Sequence, residues 1–257
     1  MRGLPRPLET AHKEDMSPFT AALPMYDWPE NRAEVDAQWA GIRDTLRTAG
    51  VDAPEALTRK TGDLYDFWRR PDILFAQTCW GPMGDGLAEE VHVIGQPDYS
   101  DVEGGEGEFY RSVVVMRSDA LEGAPQSSTH PSELPSAASL SEMMRGRRLA
   151  YNVPDSMSGY LALQADLGSL DLFSEQIATG GHRASMRAVA TGLADVCAID
   201  CRSWALARLH EPAAAGLVPI GWTSPRKGLP YITSRKTAPE TLAAMRAALM
   251  DAHLIVA

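Results

Sequence analysis

The chain has 257 residues, of which 44% are hydrophobic and 23% charged, and its formal net charge is −10. This composition is ordinary for a globular protein, and the length allows a substantial core in one large domain or in two lobes. The negative charge argues against a general nucleic-acid binder, which normally has a basic surface, but a local cluster of N–H donors could still bind a small anion.

The first half of the chain alternates short apolar runs with helical patterns. Residues 1–18 are polar and contain prolines, so we expect a mobile arm. Apolar residues recur every three or four positions over 32–49, which predicts a helix that Gly50 ends. A second helix is predicted over 63–70, a turn over 104–108, and strands over 21–26, 73–76, 91–95 and 109–116.

A second alternation begins near Ser118, after which residues 123–139 are rich in Pro, Ser and Ala and read as a loop or weak linker. Helices are predicted over 140–145, 159–167, 183–191, 203–210 and 239–253. Strands are predicted over 148–152, 173–179, 196–200, 217–222 and 229–234. Alternation of this kind indicates an α/β fold whose sheets have crossover connections.

The three cysteines, Cys79, Cys197 and Cys201, form no Cys-x-x-Cys motif and no Cys/His cluster with zinc spacing. We therefore expect three small buried thiols, with no metal ion and no cofactor. Residues 1–20 lack the apolar core of a secretory signal, and no run approaches the roughly 20 apolar residues that cross a bilayer. The sequence as written thus predicts a cytoplasmic protein.

Two segments predict an anion site. After the apolar residues 149–151 comes a turn rich in Asn, Pro, Asp and Ser, and then a helix, so that Ser156 and Ser158 lie at a helix N-terminus. A Thr-Gly-Gly turn at 179–181 precedes His182 and another helix. Free N–H groups, hydroxyl donors and the positive end of the helix dipole favour an anion at such a point. Two such turns could hold one oxyanion from two sides.

These segments also resemble a known family. The relevant stretches are Asn-Val-Pro-Asp-Ser-Met-Ser-Gly-Tyr at 152–160, Gly-Gly-His-Arg-Ala-Ser-Met-Arg-Ala-Val at 180–189 and Gly-Leu-Ala-Asp-Val at 192–196. Residues 72–82 and 110–119 add a similar strand and loop and a similar crossover strand. In this order, the motifs resemble the phosphonate-binding family of substrate-binding proteins of ABC transporters.

The resemblance implies a type II periplasmic-binding-protein-like fold with two lobes, each a mixed sheet flanked by helices, and a ligand in the cleft between them. Residues 19–117 and 221–257 would form lobe 1, and residues 118–220 lobe 2. The protein would capture a small anionic solute, phosphonate-like or a related oxyanion, for an ABC permease. It would be a monomer and not an enzyme. Family members are exported, which would require a misassigned gene start here.

The resemblance also extends the list of candidate ligand-binding residues. Met157 stands where the family has Thr, which favours a larger, less charged or differently shaped ligand. Asp200, at a strand end, could bind an amine on the ligand or cap the helix near Ser203. Aromatic residues and a glycine near strand ends, where α/β proteins bind ligands, complete the set: Tyr26, Trp28, Trp80 and Gly81.

Two alternatives remain at this point. A cytoplasmic ligand sensor of the same fold would fit the missing export signal. An enzyme on a similar scaffold would use Cys79 as nucleophile and His182 as base. The sequence contains no Gly-x-Ser-x-Gly, no Walker loop and no metal-ligand set, which makes the enzyme the weaker alternative.

Overall fold

The computed structural model describes residues 17–121 and 137–256. The predicted mobile arm, up to residue 16, and the predicted loop at 123–139, up to residue 136, lie outside the described residues, and residues 137–139 are helical rather than loop. The strands are β1 (Thr20–Ala22), β2 (Ile73–Gln77), β3 (Val91–Gly95), β4 (Gly105–Glu106), β5 (Phe109–Tyr110), β6 (Ser112–Arg117), β7 (Arg148–Tyr151), β8 (Glu175–Ala178), β9 (Val196–Asp200), β10 (Leu217–Trp222), β11 (Arg226–Lys227) and β12 (Tyr231–Ser234). The α-helices are α1 (Arg32–Thr48), α2 (Leu64–Trp68), α3 (Trp80–Gly84), α4 (Ala137–Met144), α5 (Ala162–Leu167), α6 (His182–Ala190), α7 (Cys201–His210) and α8 (Pro239–Asp251).

The first sheet has the strand order β1-β2-β12-β3. Strand β1 is parallel to β2, whereas β12 is antiparallel to both of its neighbours. Helices α1 and α8 cover one face through buried apolar side chains that recur along each helix, among them Trp39, Ile42, Leu46, Met245 and Leu249. This periodic packing is the reason the sequence predicted both helices.

The second sheet has the order β10-β6-β9-β7-β8. Val114 and Met116 of β6 pack in one buried cluster with residues of α4 and α5, whereas Val113 and Val115 pack in another with residues of α6 and α7. Because both faces of β6 are covered, its apolar run is continuous rather than alternating. The sequence assigned residues 112–117 to the first lobe, but β6 pairs with β9 and β10 in the second sheet.

Two chain connections join the sheets, one leading from β3 to β6 and the other from β10 to β12. They pair with each other in a small ribbon of order β11-β5-β4. The predicted turn at 104–108 is the β4–β5 hairpin, in which Gly107 has a φ of +54°, a left-handed conformation that favours glycine. The predicted strand at 109–116 is interrupted at Arg111, where the chain passes from this ribbon into the second sheet.

The helix predicted over 159–167 begins two residues earlier, at Met157, and its first turn is π-helical. A π-helical turn at Met157–Leu161 precedes α5, and the backbone carbonyl of Ser156 accepts hydrogen bonds from the N–H groups of Tyr160 (3.2 Å) and Leu161 (3.0 Å). Single π-helical turns of this kind are frequently found at functional sites. Within the described ranges, no helix has both the length and the apolar character needed to cross a membrane.

Candidate functional site

A cavity of about 660 Å³ lies between the two sheets. One side, here called the first-sheet wall, comes from segments 24–28, 62–68 and 79–82. The opposite side, the second-sheet wall, comes from segments 152–158, 180–183 and 200–203. Its volume falls in the range of pockets that enclose whole small molecules, and its position between two lobes is typical of a ligand site.

Ser156 and Ser158 lie in this second-sheet wall at the start of the π-helical turn. The Ser156 hydroxyl oxygen accepts hydrogen bonds from the Gly159 N–H (3.1 Å) and from Asn152 Nδ2 (2.8 Å), so it caps the turn. The Ser158 hydroxyl lies 3.5 Å from Ser156 Oγ and 2.9 Å from His182 Nε2. The capping role and the cavity position therefore occur together, as the sequence suggested.

His182 comes from the second predicted turn and is the first residue of α6. Gly180, with a φ of +86°, makes the turn possible, and the adjacent Thr179 hydroxyl is fixed by Tyr151 O (2.9 Å) and Ser185 Oγ (2.7 Å). His182 Nε2 lies 3.2 Å from Asp200 Oδ2. The two predicted turns thus meet through the Ser158–His182 contact and through the Gly180 N–H, which donates to Asn152 O (2.9 Å).

Asp200 is buried, with 3% of its surface exposed, at the end of β9. It caps α7 by accepting the Ser203 N–H (2.9 Å), and it also accepts the Tyr26 hydroxyl (3.1 Å). Burial raises the pKa of this carboxyl, but the hydrogen bonds and charge of His182 and the hydrogen bonds of Ser203 outweigh it, so the net pKa is lowered. The capping interpretation of Asp200 is confirmed, and ligand contact stays a prediction.

The protonation of the His182 ring follows from its partners. An ionised Asp200 can only accept, so the proton between the two groups is carried by His182 Nε2. The other ring nitrogen, Nδ1, is buried and makes no hydrogen bond to the described residues. Such an unsatisfied buried group is costly, and a ligand or water in the cavity could satisfy it.

Tyr26 and Trp28 lie in the first-sheet wall, as predicted for strand-end aromatics. The Tyr26 hydroxyl lies 3.1 Å from both Asp200 Oδ1 and the Tyr99 hydroxyl. The Trp28 ring lies under the Arg183 guanidinium at 4.6 Å. Both aromatic residues therefore connect the first-sheet wall to charged groups of the second-sheet wall.

Three predicted residues belong to the wall segments but do not themselves line the cavity: Trp80, Gly81 and Met157. Trp80 Nε1 donates to Gly228 O (2.7 Å) and its ring packs beside the core of the first sheet. The Met157 N–H donates to the Cys79 sulfur (3.4 Å). A Cβ at Gly81 would stand 1.5 Å from the Asp155 carbonyl oxygen. Gly81 therefore allows a close approach between the backbones of the two lobes rather than to a ligand.

The sequence did not single out several residues that line the cavity. The Tyr65 hydroxyl donates to Asp155 Oδ2 across the cleft at 2.5 Å, and Asn152 holds Ser156. Asn152 and Asp155 lay inside the motif already quoted, so their position beside Ser156 could have indicated them. Tyr65 had no such signal, because its contact with Asp155 joins positions 90 residues apart.

The cysteines differ from expectation at one position. Cys197 and Cys201 are buried, as predicted, whereas Cys79 is only partly buried and lies in the first-sheet wall. Its position at the cap of α3 brings the sulfur to the cavity edge. Desolvation at this edge still raises the pKa of the Cys79 thiol. Across residues 17–121 and 137–256, no group of three or more His, Cys, Asp or Glu side chains could hold a metal ion.

Solved structures of similar fold include PhnD1 from Prochlorococcus marinus in complex with methylphosphonate, with 15% identity and a TM-score of 0.64 over 91% of this chain and 85% of that one. XAC2383 from Xanthomonas citri bound to a chloride ion has 18% identity and a TM-score of 0.62, over 92% and 84%. A binding-protein component of an ABC phosphonate transporter from Pseudomonas aeruginosa, PA3383, has 14% identity and a TM-score of 0.61, over 93% and 80%. Comparison with curated proteins finds no match.

The structural similarity shows the fold, and it confirms the predicted α/β, two-lobe type II periplasmic-binding-protein-like class. The family described as "ABC transporter, phosphonate, periplasmic substrate-binding protein" matches residues 87–254, well over half of the chain. That range contains both turns that meet at Ser158 and His182. The chain therefore belongs to the family of periplasmic substrate-binding proteins of phosphonate ABC transporters.

Proposed function

We propose that this protein captures an anionic solute between its two lobes and delivers it to an ABC permease. The observation that carries the proposal is the meeting of two helix-start turns at the cavity, where Ser158 Oγ and His182 Nε2 lie 2.9 Å apart. The hydroxyls of Ser156 and Ser158 and the N–H groups at the start of α6 are donors suited to an oxyanion. His182 adds its second ring nitrogen, Nδ1, which has no hydrogen-bond partner among the described residues, and the contact of Nε2 with Asp200 holds the ring in place.

Contacts across the cleft support a binding function that depends on closure. The Tyr65–Asp155 hydrogen bond, the Gly81–Asp155 backbone contact and the Tyr26–Asp200 hydrogen bond all join residues of the two walls. Arg183 adds a bidentate ion pair with Glu30, at 2.9 and 3.0 Å. A ligand held between lobes with such contacts would stabilise the closed form, which is the usual hinge response of binding proteins.

The geometry gives no support to the enzyme alternative. Cys79 bonds to the Met157 N–H, and its raised pKa disfavours the thiolate that a nucleophile needs. Ser158, His182 and Asp200 also differ from a nucleophile–base–acid triad. Both Ser158 and Asp200 contact the same nitrogen, Nε2, whereas a triad uses opposite ring nitrogens. We therefore interpret this network as a binding device.

The family description places these proteins in the periplasm. We propose the same compartment for the working protein, with the cytoplasmic sensor as the alternative. Fractionation of cells expressing the gene from its own locus separates the two: recovery in the periplasmic fraction supports the transporter, and recovery in the cytoplasm supports the sensor.

A binding screen tests the proposed function. Calorimetry and thermal shift with inorganic phosphate, methylphosphonate, alkyl sulfonates and amino acids should reveal stabilisation by an oxyanion, which grows with ligand concentration as RT ln(1 + [L]/Kd). Binding of amino acids alone, with no response to any of the oxyanions, would overturn the anion assignment.

The variant Ser158→Ala sharpens that screen. Removing a hydrogen bond to a charged group costs about 1.5–3 kcal/mol, so the affinity for the oxyanion should fall roughly 10- to 150-fold. Ser169→Ala serves as the control, because the Ser169 hydroxyl accepts a local hydrogen bond from the Asp171 N–H and does not line the cavity. Equal Kd values for Ser158→Ala and the wild type would leave this serine without a ligand role.

A further inference from the structure

Tyr99 lies where the two chain connections between the lobes pack together. It is fully buried in the connection from β3 to β6, and it does not line the cavity. A Cβ at Gly228, in the connection from β10 to β12, would stand 2.2 Å from the Tyr99 ring, and a Cβ at Gly105 would stand 2.1 Å from the Tyr99 carbonyl oxygen. Tyr99 therefore fills the space between the two connections, and only glycine leaves room for it at these two positions.

The Tyr99 hydroxyl joins the connections to the site by hydrogen bonds. It accepts the Leu229 N–H of the second connection (3.1 Å) and lies 3.1 Å from the Tyr26 hydroxyl of the first-sheet wall. The Tyr26 hydroxyl donates to Asp200 Oδ1 (3.1 Å), so the proton between the two tyrosines comes from Tyr99. Each donor in this chain therefore points towards Asp200, whose other oxygen contacts His182 Nε2.

A contact with lobe 2 completes the surroundings of the Tyr99 ring. The Arg202 guanidinium of α7 lies 5.1 Å from the ring centre of Tyr99 and 5.9 Å from that of Tyr26. Arg202 also forms an ion pair with Asp101 of the first connection (2.6 Å). Tyr99 thus has partners in lobe 1, in both connections and in lobe 2, which are the parts that a hinge motion moves relative to one another.

Building on the function proposed above, we propose that Tyr99 is a positioning residue for ligand capture and acts through Tyr26. Its hydroxyl donates to Tyr26 and so directs the single hydroxyl proton of Tyr26 to Asp200, on the opposite wall. The Tyr26–Asp200 bond forms only when the lobes approach each other, because it joins the two walls of the cleft. Tyr99 therefore favours the closed form and slows release of the ligand, without lining the cavity itself.

Stopped-flow tryptophan fluorescence on the whole protein tests this role, with methylphosphonate, inorganic phosphate and methanesulfonate as the probes. Tyr99→Phe keeps the ring and removes the hydroxyl. The dissociation rate constant should rise roughly fivefold, the effect of one lost hydrogen bond. The association rate constant should change less than about twofold, because the probe enters before the lobes close. An unchanged dissociation rate constant would overturn the role of Tyr99.

Tyr231→Phe is the matched control. Tyr231 is also buried, but its hydroxyl accepts a hydrogen bond from Gln38 Nε2 (2.9 Å) within lobe 1. This variant should release the probes at the wild-type rate, although both variants lose some stability. Release as fast in Tyr231→Phe as in Tyr99→Phe would overturn the role of Tyr99, because loss of any buried hydroxyl would then suffice.

The wild-type protein separates the two proposals. If it binds none of the three oxyanions, the proposed function is overturned, and the role of Tyr99 with it. If it binds one of them and Tyr99→Phe releases that probe at the same rate, only the role of Tyr99 is overturned.

A double-mutant cycle with Tyr26→Phe shows whether Tyr99 acts through Tyr26. In the Tyr26→Phe background, Tyr99→Phe should raise the dissociation rate constant by less than about twofold, because the hydrogen bond across the cleft is already absent. A further fivefold rise would show that Tyr99 acts by another route and would overturn the proposal.

Hydrogen exchange in the wild type decides the question should Tyr99→Phe fail to fold. A bound probe should slow exchange of the Leu229 N–H, which donates to the Tyr99 hydroxyl, more than that of the Thr237 N–H, which donates to Ser234 O (3.0 Å) within lobe 1. Equal slowing at the two amides would overturn the proposal, because closure would then leave the Tyr99 hydrogen bonds unchanged.

Discussion

The two walls of the cavity are built in different ways. The second-sheet wall consists mostly of short polar side chains at helix starts, such as Ser156, Ser158 and His182, which hydrogen bonds hold in place. The first-sheet wall consists mostly of large aromatic and aliphatic side chains, such as Trp28 and Tyr65, from three separate segments. The second-sheet wall, here also called the polar wall, can fix the orientation of a charged head group. The first-sheet wall, or apolar wall, contributes contact area but few directional hydrogen bonds.

This difference assigns separate tasks to the two lobes. A charged group needs donors placed to within a fraction of an ångström, and a helix start with a capping serine provides them on a rigid element. An apolar body needs only complementary volume, so loops and short helices suffice. The head group would thus be selected by one lobe and the size of the ligand by the other. Substitutions at single contacts can separate these tasks, and the contact that brings the two lobes together has the largest expected effect.

The largest effect on binding is expected from Gly81→Ala. The new Cβ would stand 1.5 Å from the carbonyl oxygen of Asp155, so the lobes cannot reach their present separation. If the closed form is destabilised by about 3 kcal/mol, the affinity falls by roughly 150-fold. Calorimetry with the tightest-binding phosphonate should show this loss, and small-angle scattering should show a larger radius of gyration.

Gly84→Ala is the matched control for Gly81→Ala. Gly84 lies in the same helix, α3, and no atom lies within 4 Å of its added Cβ. Its binding and radius of gyration should equal those of the wild type. Wild-type affinity in Gly81→Ala would show that the ligand binds without the closure that joins the two walls.

The difference between the polar wall and the apolar wall also explains which parts of the site the sequence could predict. Strands β3, β9 and β10 have the predicted bounds, because each is an apolar run bounded by polar or turn residues. Ser156, Ser158 and His182 could be located because capping and turn signals are local in the sequence. The residues of the polar wall could therefore be located from the sequence alone. Their contact with a ligand stays a prediction.

The apolar wall could not be predicted in the same way. Its segments at 24–28, 62–68 and 79–82 are brought together by β1–β2 pairing and by packing in one buried cluster, neither of which is local in the sequence. An aromatic residue in a loop has the same local signal whether it faces a core or a cavity. Trp80 illustrates the difficulty: it lies one position from Cys79, yet its ring faces the core of the first sheet. The membership of β6 in the second sheet was missed for the same reason, since pairing is not local.

Asp200→Asn should produce the largest loss of stability, because this carboxylate joins both walls. Asparagine can still cap α7, but it removes the ionised carboxylate that His182 Nε2 contacts, and losing a hydrogen bond to a charged group costs about 1.5–3 kcal/mol. The lowered pKa of Asp200 sets the pH dependence. Its contribution is full above the ordinary carboxyl pKa of about 4 and is lost as the pH falls through the lower, folded-state value.

Urea unfolding of wild type and Asp200→Asn at a series of pH values checks this linkage. The difference in free energy of unfolding should be largest near neutral pH and should shrink on acidification below about pH 4. A difference that stays constant with pH would mean that the ionised form of Asp200 does not stabilise the protein, and that its cap on α7 is its main contribution.

The smallest effect is expected at the rim, where Glu30 of the first lobe pairs with Arg183 of the second. Glu30→Gln removes a partly exposed charge, and Arg183 keeps both Glu211 and the Trp28 ring. Exposed ion pairs contribute little, so ligand affinity should fall less than about fivefold and the loss should fade in high salt. Glu90→Gln, which breaks the Arg69 pair within the first lobe, should leave affinity unchanged at any salt. A loss in Glu30→Gln far above fivefold would instead make this rim contact, rather than the fit of the two walls around the ligand, the main source of closure.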